Sequence, residues 1–502
     1  MPPLDFHDLP ILTKKDRLWP LFCPKPTVKI LCYTDSTSVQ MDRTTAFGLG
    51  ILKDWLLAGN PFYANFQVDL LNRHEGGHAN HKLTAALLGG YDQVWFFGVL
   101  QCNVSGQPEN ELTTPEVTAL KAWMDAGGGV LITGDHANPK PFGADAGLDP
   151  LLNLGRAIGK KVPRAGQLRK WEGLPDASFT DNHNTMVPTA ALPDLNTGGQ
   201  PQQSDNVPQQ LILTRHAVPT WHPYFLRRKR PHPLFCGKAG LIDVFPDHMH
   251  EGLPLVPGTF GPEWPTGPGG IQPLPAIEAK GTDKRNGAIY PVSIAYDGDD
   301  GGVGRIVADA TWHHYFNVNL QGFTSGSPAF TPDGSAAQKA IANYYQNLAV
   351  WLASKSKRQA MRCTIWWWLA THPEILEVAR APYWLLGGTA YDVLGRAAGQ
   401  CTITELIWLD FPKVMLYERD PKHPPLPWPP EELILGGILL EYQEAMQHAE
   451  AGKPVPDRHT LQVNGFKRAA AYHVESLASG LKGAKQAAEA LEKVLHQGRD
   501  KD

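Results

Sequence analysis

The chain of 502 residues is 42% hydrophobic, which suits two or three domains with a sizeable core and sets a disordered chain aside. A formal net charge of -4 offers no broad electropositive surface, so no nucleic-acid partner is expected, and the one basic run, Arg227-Arg228-Lys229-Arg230, reads as solvated surface. The N-terminal Met1-Pro2-Pro3-Leu4-Asp5-Phe6-His7 lacks a basic region followed by an apolar core, and no later stretch has the apolar length of a membrane span; no membrane partner and a cytoplasmic location are expected.

In chain order, residues 1–26 are rich in Pro and mixed charge and read as an extended arm. Residues 28–33 read as a first buried strand, running into Asp35, and Phe47, Leu49, Ile51, Leu52, Trp55 and Leu56 supply a crossover helix. A second strand at 66–71, a helical stretch around 83–88 and a third strand at 93–98 follow; the third is apolar enough for burial on both faces. Thr113-Thr114-Pro115-Glu116 opens a helix on which Val117, Leu120, Trp123 and Met124 recur at helical spacing. The run Gly127-Gly128-Gly129-Val130-Leu131-Ile132-Thr133-Gly134 then makes a strand that breaks into Asp135-His136-Ala137-Asn138-Pro139.

A helix at 148–158 gives way to a region rich in Pro, Gly, Asn and Gln, at about 160–280, too long for a plain connection and read as an insertion over the sheet. Inside it, 210–214 and 239–245 look like strands, the second leading into Pro246-Asp247-His248-Met249-His250-Glu251-Gly252. Strands at 288–296 and 304–310 follow, the latter feeding Thr311-Trp312-His313-His314-Tyr315-Phe316-Asn317, and an amphipathic helix at 339–353 closes the domain. From 356 on the pattern is helical, at 364–381, 402–409, 431–450 and 466–496, with Trp366-Trp367-Trp368 read as core. The expected fold class is therefore α/β, a flavodoxin-like doubly wound parallel sheet over 27–355 with the insertion, followed by a helical C-terminal domain over 356–502. Six widely scattered cysteines with no CxxC pair exclude a zinc ribbon and a small disulfide scaffold, and most are expected to be buried thiols.

Three strand ends carry histidine: Asp135-His136, the His248 to Glu251 stretch, and His313-His314. Parallel strands present their carboxyl ends on one rim, where ligands bind, so the three clusters can share a pocket. A single histidine at a strand end is more often a structural hydrogen-bonding residue, and it is the convergence of three that points to function. His248 and His250, two apart on an extended segment, project from one face and allow two imidazoles to reach one metal. Two schemes stay open. In one, His136 or His313 is a general base oriented by Asp135; in the other, His248, His250 and His314 hold a divalent metal such as zinc that activates water. Asp35, His183 and Glu251 are candidate substrate-binding residues. Asp297-Gly298-Asp299-Asp300-Gly301-Gly302 lacks the far ligand of an EF-hand loop and reads as a hairpin turn.

The strand and helix order, the Gly-rich strand ending in Gly134-Asp135-His136, and the late strand ending in Trp312-His313-His314 resemble the class I glutamine amidotransferase-like superfamily, nearest to its ThuA-like, cysteine-less branch. The same residues also resemble uncharacterised bacterial proteins of this fold. The resemblance covers about residues 27–352 and implies the fold and a small, sugar-like substrate. It departs at the elbow after the strand: the superfamily's cysteine is replaced by Asp135 and His136, while His313 or His314 matches its histidine by position. Thiolate-based glutamine hydrolysis is thereby set aside. A hydrolase or lyase acting on a small polar molecule is the leading expectation. The alternative is a catalytically inactive module for ligand binding or assembly, with the C-terminal helices supporting a homo-oligomer.

Overall fold

Apolar runs rich in β-branched and aromatic residues lay down the centre of the structure. In the computed structural model the described residues are 23–35, 37, 39–45, 48–77, 80–98, 112–134, 158–170, 209–217, 229–238, 240–246, 253–267, 270, 272–282, 289–310, 313–317, 320, 332–399, 405 and 431–499. Strands and helices alternate first: β1 (Thr27–Thr34), α1 (Gly50–Ala58), β2 (Asn65–Asn72), α2 (Ala85–Leu88), β3 (Gln93–Gly98), α3 (Thr114–Asp125) and β4 (Gly129–Gly134). There follow β5 (Ile212–Leu213), β6 (Ala276–Thr282), β7 (Ile289–Tyr296), β8 (Ile306–Asp309) and α4 (Pro332–Trp351). Among the described residues these strands form one eight-stranded sheet in the order β2-β1-β3-β4-β8-β7-β6-β5.

The sheet is mostly parallel. Strands β2, β1, β3, β4 and β8 all run one way, whereas β7, β6 and β5 pair antiparallel at the β8 side. A wholly parallel sheet, expected from the sequence, is ruled out by the short turn between β7 and β8, since a parallel pairing needs a long crossover. That turn is the Asp-rich motif, closed by a 3₁₀ helix at Gly298–Gly301. Its carboxylates meet arginine: Arg305 donates to Asp297 at 2.9 and 3.1 Å, and Arg358 pairs with Asp299. The hairpin reading of this motif therefore holds.

Burial follows from the sequence pattern. Every residue of β3, Gln-Val-Trp-Phe-Phe-Gly, is buried, as a strand covered on both faces requires. Leu120 and Met124, one turn apart on α3, pack on Leu31, Val94, Phe96 and Ile132 of the sheet. Gly129 opens β4 because a Cβ there would lie 2.0 Å from the Leu352 carbonyl oxygen.

The chain divides into two units. One comprises Lys25–His216 and Pro231–Met361; the other Met1–Pro24, Ala217–Arg230 and Arg362–Asp502. The second unit is helical: the later part of α5 (Lys355–Thr371), then α6 (Pro373–Glu377), α7 (Tyr383–Ala398), α8 (Glu431–Glu450) and α9 (Arg458–Arg499). Trp366 stacks on Tyr442 at 6.0 Å and Trp367 meets the same ring edge-on at 5.5 Å, so these two are core as expected, while Trp368 is half-buried. Helices α8 and α9 touch at Gly437, where a Cβ would lie 2.3 Å from the Gly465 carbonyl oxygen. No described helix is long and apolar enough to cross a membrane.

The expectation of mostly free, buried thiols needs correction. Cys32 is a buried thiol of β1, but Cys23 and Cys363 form a disulfide with Cα atoms 5.6 Å apart, and Cys236 is disulfide-bonded too. The partners are 340 residues apart, which no local spacing reveals. The bridge walls a cavity of about 530 Å³ with Trp367, Tyr442, Lys453 and Leu461. That lining is mostly apolar, and its Asp457 carboxylate accepts from the Thr460 hydroxyl and amide. Cys363→Ser is expected to lower stability by about 2–4 kcal/mol in urea unfolding under non-reducing conditions. An unchanged midpoint would show that the bridge does not form in solution.

Candidate functional site at the carboxyl ends of the strands

Asp35, Arg73, Gly134 and Asp309 stand at the carboxyl ends of β1, β2, β4 and β8, on one rim of the sheet. The pairing of β4 with β8 runs to Ile132 beside Ala308, so the chain leaves both strands side by side, at Gly134 and at Asp309-Ala310. After β8 the short helix His313–Tyr315 crosses the end of β3: Phe97 meets Tyr315 edge-on at 5.3 Å and Phe316 at 5.7 Å. Asn317 then ties this segment to the loop after β1. Its amide donates to the carbonyls of Asp42 (2.6 Å) and Thr45 (2.8 Å), and its side-chain oxygen accepts from the amide of Ile51 (3.0 Å).

Asp309 is the centre of the described part of the rim. It is fully buried, its carboxylate accepts from the Tyr344 hydroxyl at 2.9 Å and from the Tyr315 hydroxyl, and the Tyr344 hydroxyl lies 3.2 Å from the Ser293 hydroxyl. Burial pushes the carboxyl up, and the bonds from Tyr315, Ser293 and Tyr344 and the charge of Arg169 offset this only in part, leaving it at about 6. Burial and the neighbouring Asp309 charge drive both tyrosine hydroxyls well above their ordinary range, so they stay protonated donors. Arg169, itself buried, donates to the carbonyl of Ala310 at 3.1 Å.

A second buried cluster stands at the β2 end. The Arg73 guanidinium pairs with Glu116 at the start of α3 and donates to the Tyr33 hydroxyl at 2.9 Å, which in turn donates to the carbonyl of His81 at 2.7 Å. Glu116 also accepts from the amide of Leu83 (3.0 Å) and from the amide and hydroxyl of Thr113 (2.9 and 2.7 Å). Burial raises the Glu116 carboxyl, but the bonds from Arg73 and Thr113 outweigh it and hold the group below its ordinary value. With its acceptors fully engaged, this cluster braces the rim.

The candidate residues from the sequence fare unevenly. Asp35 is fully buried directly after β1. His314 is fully buried, its ring 4.8 Å from Phe245 and 5.8 Å from Tyr315, and its carbonyl accepts the Tyr345 hydroxyl. His313 opens the helix His313–Tyr315, and its side chain lies outside the described part. Asp135, His136, His183, His248, His250 and Glu251 lie outside the described residues. Their described neighbours do come together. Gly134 precedes Asp135 at the end of β4, next to β8, and Phe245, three residues before His248, touches the ring of His314.

Sequence reasoning missed Asp309, Tyr315, Tyr344, Ser293 and Arg169. The only signal was an aspartate ending the apolar run Ile306-Val307-Ala308. It also missed an ion pair on β6, where Glu278, buried, meets His216 at 2.6 Å; that bond raises the His216 pKa, against the effect of burial. Among the described residues no group of three His, Cys, Asp or Glu side chains could hold a metal.

No family model matches the chain, and no curated protein matches it. A solved structure, the mmIFT52 N-terminal domain, is similar over 63% of this chain and 97% of that one, at 10% identity and a TM-score of 0.28, a likeness too loose to carry any statement about this chain.

Proposed function

We propose that the α/β unit is a flavodoxin-like, class I glutamine amidotransferase-like domain of the ThuA-like, cysteine-less branch, working as a hydrolase or lyase on a small polar, sugar-like substrate. The strand order β2-β1-β3-β4-β8 supports the fold reading, since it follows the 2-1-3-4-5 order of flavodoxin-like sheets. The observation that carries the function is the meeting of three chain segments at one rim. Gly134 and Ala310 leave adjacent strands, and Phe245 packs on His314, so the segments bearing His136, His248 and His313 start from one place.

In this reading His136 or His313 takes a proton from the attacking water or from the substrate, with Asp135 orienting the imidazole. Asp309 holds the His313–Tyr315 helix through Tyr315 and so positions that histidine. Asp35, His183 and Glu251 would bind the substrate's polar groups. A divalent ion such as zinc on His248, His250 and His314 fits less well, because the His314 ring is fully buried against Phe245.

The test is a panel of amides, lactones and keto- and amino-sugars followed by ¹H NMR. The wild type should turn over a member of the panel, and His136→Ala and His313→Ala should each slow it about 10²–10⁴-fold with unchanged circular dichroism. No turnover by the wild type, or turnover in both variants undiminished from the wild type, would favour the inactive ligand-binding module that the missing elbow cysteine also suits.

A further inference from the structure

Helix α9 spans 42 residues, roughly 63 Å at 1.5 Å per residue. Its first half is held by the unit it belongs to: Leu461, Ala469 and His473 are buried, and Arg468 pairs with Glu444 at 2.7 Å and with Glu441. Beyond His473 the helix is not covered by any described residue. From residue 474 to 490 every side chain is exposed except the half-buried Leu477, with Val474 at 63% and Leu481 at 72% exposure, and Gly480 and Gly483 have open space around them. A solitary helix with two glycines and two serines, Ser476 and Ser479, is marginal in water, so such a segment needs a partner to persist.

The sequence specifies what kind. Val474, Leu477, Leu481, Ala484, Ala488, Leu491 and Leu495 follow one another at spacings of 3, 4, 3, 4, 3 and 4, a strict heptad seam. A helix that packs on a globular core carries a wider stripe, whereas a 3.5-residue repeat is the signature of a left-handed coiled coil. Between the seam positions stand Glu475, Lys482, Lys485, Glu489, Glu492 and Lys493, three of each sign.

The seam also complements itself. Its order of sizes is large through Leu481, small at Ala484 and Ala488, and large again at Leu491. Laid antiparallel on a second copy about a centre between Leu481 and Ala484, it places Val474 on Leu491, Leu477 on Ala488 and Leu481 on Ala484, each layer repeated by the twofold axis. Parallel and in register, alanine would face alanine in two successive layers and leave a gap. In the antiparallel register Lys485 lies opposite Ala478, so no like charges meet across the flank of the seam.

We propose that residues 474–495 form an antiparallel coiled coil with the same segment of a second copy of this chain, making the protein a twofold dimer. Sedimentation equilibrium of the full chain should give a dimer, and Leu481→Glu should weaken it at least 100-fold. That variant should lose only the helical signal of residues 474–495 in circular dichroism and keep a cooperative unfolding transition for the rest of the chain, because residue 481 is exposed within its own unit. Orientation is read by mixing Leu481→Cys and Ala484→Cys chains under mild oxidation and sequencing the bridged peptides by mass spectrometry, with a 481-to-484 bridge expected. A monomeric wild type at about 100 μM, or a dimer indifferent to Leu481→Glu, overturns the proposal. Bridges of 481 to 481 and 484 to 484 overturn the antiparallel arrangement.

Discussion

Glu116→Gln is expected to lower the stability of the α/β unit by about 3–5 kcal/mol in urea unfolding, the largest loss among the substitutions considered for this chain. The substitution leaves the buried Arg73 guanidinium without its counter-charge in a place that water does not reach. It also weakens the acceptor for three other donors, the amide of Leu83 and the amide and hydroxyl of Thr113, which set the start of α3 and the approach to α2. The double variant Arg73→Met, Glu116→Leu separates these effects. With both charges gone, desolvation no longer opposes folding, and most of the loss should be recovered. A single-variant loss below about 1 kcal/mol would place the pair in solvent.

The pH dependence of stability should carry the mark of Asp309. Its carboxyl rises from 3.8 to about 6 on folding, so between those values the folded state binds a proton that the unfolded state has released. Stability from this group is therefore fully present below about pH 4 and is lost as pH rises through about 6. The loss amounts to about 3 kcal/mol by pH 7. In Asp309→Asn this slope should vanish, since asparagine stands permanently in place of the protonated acid. The measurement is the difference between wild-type and Asp309→Asn unfolding free energies from pH 4 to 8. A flat difference curve would mean that the carboxylate keeps an ordinary affinity for protons.

Much of the central sheet could be read in advance because its strands are local events. Ile30, Leu31 and Cys32, then Val94, Trp95 and Phe96, then Val130, Leu131 and Ile132 make unbroken apolar runs, and Pro115 with Glu116 marks the start of α3. What could not be read depends on distance along the chain. Arg73 reaches Glu116 across 43 residues and Tyr344 reaches Asp309 across 35, so neither polar cluster leaves a spacing to recognise. The antiparallel side of the sheet escaped for another reason. Strands β7 and β8 are as apolar as the parallel ones, and only the short loop at Asp297 between them betrays the change of direction. Of the site itself, the sequence reading named Asp35 and His314, both fully buried at the rim, while the groups that hold Asp309 lie on otherwise ordinary elements, Tyr344 on α4, Ser293 on β7 and Tyr315 on the short helix His313–Tyr315.

The Cys23 to Cys363 bridge has a topological effect. Both segments of the α/β unit, Lys25–His216 and Pro231–Met361, fall between its two cysteines. While the bridge is intact that unit is part of a closed loop, so its unfolded ensemble is that of a circularised chain and not of a linear one. A single peptide-bond cleavage anywhere inside would leave one covalent molecule, with two new ends and nothing released until the thiols are restored.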